Sequence, residues 1–425
     1  MNRVYPRHAV NLDITAFGRY IRLATGDELS YGQSVAEFER AFAECLGAQA
    51  CVATSSAQGG LYLTLRALEI GQGDEVIMPA YISASMPAAV IATGARPVFA
   101  DVDPHTFNID PALARSAVTD RTRALVTAHL FGRAANMQRL QALAAQARIA
   151  LLEDCSHAAG ARCSGRPAGT VGDAGFFSFD IWKNMACFGG GAVTFSDVPL
   201  AGSVRRLAGS SPPPHGPSLH MKVLASLCAW LLTRGRLFPW TLYLAARVLD
   251  NLGSDALDRL LRQPLEQITQ FSPKALGRMA NLQAAVGLDE ISRLPQRNAS
   301  LSANGRRLAA LLAEVPGIRA PDIPAGELEH IYLYFRILVE DRPEFRKALR
   351  KKGVDTQADD LRNCASLEVF SNYRADCPVA AALPERSMEL PNSATFSQTD
   401  IDYIAAAVRE TVEEIRRRKQ TGRCT

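Results

Sequence analysis

Two residues of opposite character, Asp154 and Lys183, stand where one chemistry would use both. Residues 149–152 form a short apolar run that stops at Glu153 and Asp154, as a buried parallel strand does when it delivers a carboxylate to the carboxyl edge of a sheet. A glycine-rich loop follows. Residues 176–179 then form a second apolar run, which leads to Lys183 and to a glycine triplet at 189–191. A lysine beyond one strand and a carboxylate at the end of another suit an aldehyde cofactor built on a pyridine ring. The amine forms a Schiff base, and the carboxylate keeps the ring nitrogen protonated. The pairing predicts pyridoxal 5'-phosphate.

The elements that must position this pair are readable around it. Residues 50–53 read as a strand, and Thr54-Ser55-Ser56-Ala57-Gln58-Gly59-Gly60 then opens a helical stretch to Leu68. Small residues at a helix start leave backbone N–H groups and the positive end of the helix dipole facing outward, so this loop is the candidate phosphate site. Residues 73–79 and 94–103 each read as a turn and a buried strand, residues 124–127 as a further strand, and the stretch near 137–146 as a helix. Ahead of them Val35, Phe38, Phe42 and Leu46 have helical spacing, with Gly47 as the C-cap. Alternation of strand and helix predicts an α/β fold with a mostly parallel sheet. Near the C-terminus, residues 331–339 alternate as a half-buried strand, 343–352 read as a helix stopped by Gly353, and 401–415 as a terminal helix, which predicts a smaller α+β domain.

The ordered motifs carry a resemblance. Glu153-Asp154-Cys155-Ser156-His157-Ala158-Ala159-Gly160, followed by Phe177-Ser178-Phe179 and, three residues on, Lys183-Asn184, resembles the DegT/DnrJ/EryC1/StrS family of pyridoxal-phosphate-dependent sugar aminotransferases. The likeness covers roughly residues 15–210 and 277–410. It implies the type I fold of pyridoxal-phosphate enzymes, with Lys183 as the Schiff-base lysine, Asp154 as the pyridinium partner, His157 at the ring hydroxyl and Ser178 on the phosphate. The family's Ser-Gly-Thr phosphate loop falls on Ser56, Ala57 and Gln58, so backbone contacts survive and the threonine hydroxyl is lost. Arg278, in Gly277-Arg278-Met279-Ala280-Asn281, matches an arginine that reaches the neighbouring subunit's site in relatives. A homodimer with sites at the interface is therefore implied. There are further departures: the ring-stacking aromatic falls on Ser83, a usual glutamate on Gly189, a usual asparagine on Leu276, and a usual histidine or tyrosine on Asp359.

Composition bounds the rest. A chain of 425 residues with 48% hydrophobic and 21% charged residues builds a sizeable core, and a net charge of +4 gives no support for nucleic-acid binding. Nine scattered cysteines show neither a metal spacing nor a disulfide framework. Residues 1–13 hold no apolar core of a signal peptide, so cytoplasmic residence is expected. Three regions emerge: a large cofactor-binding domain over 1–210, an insertion over 211–272, and a small domain over 273–425. The insertion opens with Ser211-Pro212-Pro213-Pro214. From 219 to 249 it carries Lys222, Arg234, Arg236 and Arg247, no acidic residue, and Trp230, Phe238, Trp240 and Tyr243. Its apolar pieces are each shorter than the about 20 residues that span a bilayer. Two readings stand for them: an interfacial or re-entrant hairpin that places both tryptophans at the headgroup level on the cytoplasmic membrane face, or core packing and a contact with the dimer partner.

The resemblance implies transamination from an amino donor, glutamate, to a keto group on a sugar carried by a nucleotide or a lipid, in amino-sugar, glycan or secondary-metabolite biosynthesis. Lys183 would move the proton between substrate and cofactor carbons. An alternative within the same fold is a sugar dehydratase or other eliminase, but known enzymes of that kind carry histidine at the lysine position. Another alternative, a catalytically weak scaffold or sensor, is motivated by Ala57, Gln58, Ser83 and Gly189.

Overall fold

The computed structural model describes residues 3–421 apart from 9, 25–26, 212, 215, 235–236, 252–268, 327–328 and 359–360, so Arg236 and Asp359 lie outside the described residues. The frame is a seven-stranded sheet. Its order runs Ala50–Thr54, Gly191–Phe195, Ala174–Ser178, Ala150–Asp154, Thr122–Ala128, Glu75–Pro79, Arg96–Ala100. The last five are mutually parallel, and Gly191–Phe195 runs antiparallel to both of its neighbours. The strands that the sequence predicts for this sheet are all present within a few residues; Gly191–Phe195, which begins at the last glycine of the triplet, is the addition. Burial on both faces explains why these strands are continuous apolar runs rather than alternating ones.

Helices cover the sheet as the spacing predicted. Ser34–Leu46 buries Phe38, Phe42 and Leu46 and ends in left-handed Gly47, whose N–H bonds the Glu44 carbonyl at 3.2 Å. Phe38 and Phe42 meet Phe177 and Phe179 edge to face, with centroids 5.0–5.5 Å apart, so the strand that leads to Lys183 is locked from beneath. The 32-residue helix Asn281–Leu312 packs on Ser34–Leu46 at one end and on the terminal helix Gln398–Thr421 at the other, and thereby ties the two cores together.

The second core gathers Leu308, Leu312, Phe335, Ile337, Phe345, Leu349, Met388, Leu390, Ile404 and Val408 around a small antiparallel sheet, Phe335–Leu338, Ser387–Leu390 and Gln357–Ala358. The strand expected over 331–339 is shorter than the alternation suggested. Tyr332 is left-handed at φ 48°, and Ile331 and Tyr334 donate to the carbonyls of Gly132 and Phe131 instead of to a sheet partner. These residues bridge the two cores before the strand begins. Residues 361–383 return to the large core, where Arg362–Asn363 pairs with Tyr81–Ile82.

The described residues of the segment read as an insertion include two helices, Gly216–Thr233 and Leu242–Asn251, with the single turn Phe238–Trp240 between them. Leu219 and Val223 enter the large core, the Tyr243 hydroxyl donates to the Arg350 carbonyl at 2.5 Å, and Tyr20 meets His220 at 2.8 Å. One expectation is corrected here. Trp230 is not a surface anchor: its indole N–H donates to the Leu12 carbonyl at 3.0 Å, and its ring packs against Phe17 and under Arg234. A buried partner for the polar tip removes any reason for this ring to seek an interface.

Candidate functional site

Asp154 ends the fourth strand of the sheet and Ser178 the third, so both reach the carboxyl edge, where open α/β sheets place their ligands. Beyond Ser178 the chain turns back on itself. Lys183 N–H donates to the Asp180 carbonyl at 3.0 Å, and the N–H groups of Cys187 and Gly189 both reach the Phe179 carbonyl. The turn needs three successive left-handed residues, Phe188 (φ 59°), Gly189 (φ 96°) and Gly190 (φ 91°), which is why glycines follow the lysine. On the opposite side Ser56 caps the helix Ala57–Ala67, its hydroxyl accepting from Gly59 N–H at 3.0 Å. The N–H groups of Ala57 and Gln58 then have no intrahelical acceptor. A side chain at Gly59 would place its Cβ 1.7 Å from the Ala275 carbonyl oxygen, so segment 275–277 clamps this loop from outside.

These elements enclose one cavity of about 680 Å³, whose wall includes Ser56, Ala57, Gln58, Asp154, His157, Ser178 and Lys183. Seven of the eight residues singled out from sequence therefore converge. Arg278, the eighth, is exposed and is not among the residues lining the cavity of its own chain. Gln58 turns its amide to the Ser85 carbonyl at 2.9 Å, and Ser83 bonds Ser85 at 2.9 Å, so the position expected to stack on a ring is hydroxyl-lined, with Met86 beside it.

The electrostatics distinguish the two neighbouring carboxylates. Successive strand residues point to opposite faces, and Glu153 points away from the ligand side. It accepts from the N–H groups of Gly169, Val171 and Gly172 at 2.6–3.0 Å and meets His129 Nε2 at 3.0 Å. His129 Nδ1 accepts from Ala135 N–H, so Nε2 carries the proton and donates. Burial alone would raise the Glu153 carboxyl, but the His129 bond and the backbone donors together hold it below its usual value. A lowered folded pKa contributes stability that is complete above the unfolded value near 4.5 and is lost as pH falls through the folded value. Glu153→Gln is expected to cost about 3 kcal/mol by breaking a buried network. Urea unfolding at pH 7 measures this, and the difference from the parent should shrink on acidification.

Asp154 is buried at 6% exposure and accepts from Ser156 N–H at 3.0 Å. Burial raises its pKa, opposed by Ser156, Lys183 and His129. A buried carboxylate of this kind lacks a full counter-charge, which a protonated ring nitrogen would supply. His157 is held well below the usual histidine range by burial and then by the charges of Lys183 and Arg336, so it is neutral. Its Nδ1 accepts from Phe131 N–H at 3.3 Å, which leaves the proton on Nε2. Phe131 makes that bond from a left-handed conformation (φ 60°), with its ring stacked on His157 and the Arg336 guanidinium 4.7 Å from its centroid. Tyr334 stands between His157 and Lys183, edge-on to the first at 5.0 Å and 5.8 Å beneath the Nζ of the second.

A carboxylate, two serine hydroxyls, a helix start and an amine on one cavity wall form the donor set a phosphorylated pyridine aldehyde requires. The residues fit pyridoxal phosphate. Sequence reasoning missed Phe131, Tyr334 and Arg336, as well as Arg7 and His8 of the N-terminal arm and Thr233, Phe238 and Leu242 of the insertion, all of which line the same cavity. Glu389 holds Arg336 and His8 together at 3.2 and 2.8 Å, and Asp355 holds Arg7 and Arg350 at 2.7 and 3.0 Å. None of these lies in a motif; the sole signal was the phenylalanine before Gly132, just past a strand end.

Comparison with known proteins agrees with this geometry. Residues 15–216 and 242–409 match the DegT/DnrJ/EryC1/StrS aminotransferase family, which corrects the bounds read from the sequence: of the segment taken as an insertion over 211–272, only 217–241 falls outside the match. The spore coat polysaccharide biosynthesis protein SpsC of Bacillus subtilis (strain 168) is 30% identical over 398 residues, 91% of each chain. Among solved structures, S. venezuelae DesV, seen with a ketimine intermediate, superposes with a TM-score of 0.73 at 27% identity, covering 96% of this chain and 99% of its own. DesI, crystallised in the presence of its TDP-sugar product, gives 0.72 at 28% identity, covering 100% and 96%.

Proposed function

Because the chain belongs to the DegT/DnrJ/EryC1/StrS aminotransferase family and is thus a pyridoxal-phosphate-dependent sugar aminotransferase, we propose that it moves an amino group from glutamate to a keto group of a sugar carried by a nucleotide or a lipid. The observation that carries this reading is the convergence of Lys183, Asp154, His157 and Ser178 with the start of helix Ala57–Ala67 on one cavity. Bound there, the cofactor supplies the electron sink that lets a proton leave the carbon bearing the amino group. Ser178, the Ser56 hydroxyl and the N–H groups of Ala57 and Gln58 would hold the phosphate. Asp154 would hold the proton on the ring nitrogen. His157, neutral and fixed by Phe131, would donate an Nε2–H hydrogen bond to the ring oxygen. The Lys183 amine, once released from the cofactor, would take the proton from the donor's α-carbon and deliver it to the cofactor's aldehyde carbon across the intervening nitrogen; the reverse movement would serve the keto sugar in the second half.

The active unit we propose is a homodimer, with Arg278 of each chain reaching its partner's site from the exposed face it occupies here. Lysine at 183 favours amination over elimination. The test is direct: glutamate should bleach the yellow holoenzyme, one equivalent of a keto sugar carrier should restore the colour, and an amino sugar should appear in equal amount. Bleaching that no keto sugar reverses would overturn the acceptor class, and a holoenzyme inert to every amino donor would favour the scaffold reading.

A further inference from the structure

The insertion helix Gly216–Thr233 is apolar on two faces. Leu219, Val223, Ser226 and Thr233 form its buried side. Met221, Leu224, Cys228 and Leu231 recur at i, i+3, i+7 and i+10 on the outer side, and all are exposed, Met221 at 65%. A surface helix is ordinarily polar there. Leu237 and Trp240, the latter 64% exposed, and Leu244 and Val248, one turn apart on Leu242–Asn251, are exposed as well. Residues 219–249 contain no acidic side chain, and Arg234 and Arg247 are exposed on the same hairpin. Thr233, Phe238 and Leu242 line the active-site cavity, so the hairpin that carries these exposed apolar residues also forms part of the cavity wall.

We propose that this hairpin docks on an anionic phospholipid bilayer, lying in its interface and bringing the cavity beside the lipid. The inference rests on the aminotransferase reading of that cavity, and it favours a lipid over a nucleotide as carrier of the acceptor sugar. Among the described residues no helix is long and apolar enough to cross a membrane; a short helix pair with an apolar outer row lies flat instead. Exposed Trp240 suits the headgroup level, and Arg234 and Arg247 suit lipid phosphates. A second copy of the chain fits less well. A two-fold contact through this row would gather the cations of both copies into one interface, with no acid between 219 and 249 to offset them.

Flotation of the full-length holoenzyme tests the proposal. It should rise with vesicles of equal parts phosphatidylglycerol and phosphatidylcholine, and at least about tenfold less with phosphatidylcholine alone or at high salt. The triple variant Leu231→Glu, Leu237→Glu, Trp240→Glu changes only exposed residues outside the cavity lining. It should stay at the bottom of the gradient while keeping the parent's sedimentation mass and its bleaching by glutamate. A parent that never floats on the anionic vesicles, a variant that floats as well as the parent, or a variant whose mass halves would overturn the proposal, the last outcome assigning the row to a contact between copies. Bleaching is scored on the same samples without vesicles, so a protein that floats but does not bleach sinks the aminotransferase reading and leaves the docking surface standing.

Discussion

Replacing Lys183 with alanine is expected to abolish covalent attachment of the cofactor and to slow the half-reaction with glutamate by at least about 10⁴-fold, since a nucleophile and a proton carrier are lost together. Borohydride should fix the cofactor to Lys183 in the parent and to nothing in the variant. Binding should survive, because the residues proposed to hold the phosphate, Ser56, Ala57, Gln58 and Ser178, and the carboxylate of Asp154 remain in the cavity wall. Lys183→Arg separates charge from basicity. It keeps a cation above Tyr334, but a guanidinium with a pKa above about 12 cannot take a proton, so it should be as slow as alanine. Peptide mapping that finds the borohydride adduct on another lysine would refute the assignment.

The chemistry was legible in the sequence where it sits on regular elements. Asp154 follows a buried apolar run, and such a run in a parallel sheet ends at the carboxyl edge; Lys183 follows a second one, and the glycine triplet marks the left-handed turn that brings it back. What was not legible is what arrives from a distance. Arg336 reaches the cavity because its strand pairs with the one bearing Glu389, with those two residues opposed in register. Arg7 is held by Asp355, 348 residues away. Such contacts are set by tertiary register, which no local pattern encodes. Periodicity also misled at 331–334, where alternation promised a strand and Tyr332 turns left-handed to cross between the two cores. The insertion shows a third limit. Its composition announced an apolar, cationic hairpin, but only the fold separates Trp230, bonded to the Leu12 carbonyl, from Trp240, which is exposed.

Asp154→Asn should lower the rate of the half-reaction while making the cofactor-free protein more stable, and that combination distinguishes a ring partner from a structural residue. Burial raises the Asp154 carboxyl above its usual 3.8, so the sign of its effect is the reverse of that of Glu153. A group whose folded pKa is raised contributes stability below its unfolded value and loses it as pH rises through the folded one, so at neutral pH the ionised group is a net cost in the absence of a counter-charge. Asparagine removes that cost, and the apo variant should melt at or above the parent at pH 7 to 8, with the gap closing toward low pH. In the loaded enzyme, as proposed, the same carboxylate would face the proton on the ring nitrogen. Its neutral replacement lets that proton leave and weakens the electron sink, at about 2 to 4 kcal/mol of barrier, roughly 30- to 1000-fold in rate. Stopped-flow bleaching by glutamate and apo melting curves measure the two halves independently. A variant that bleaches at the parental rate, or one whose apo form is markedly less stable than the parent at neutral pH, would show that Asp154 serves the fold and not the ring.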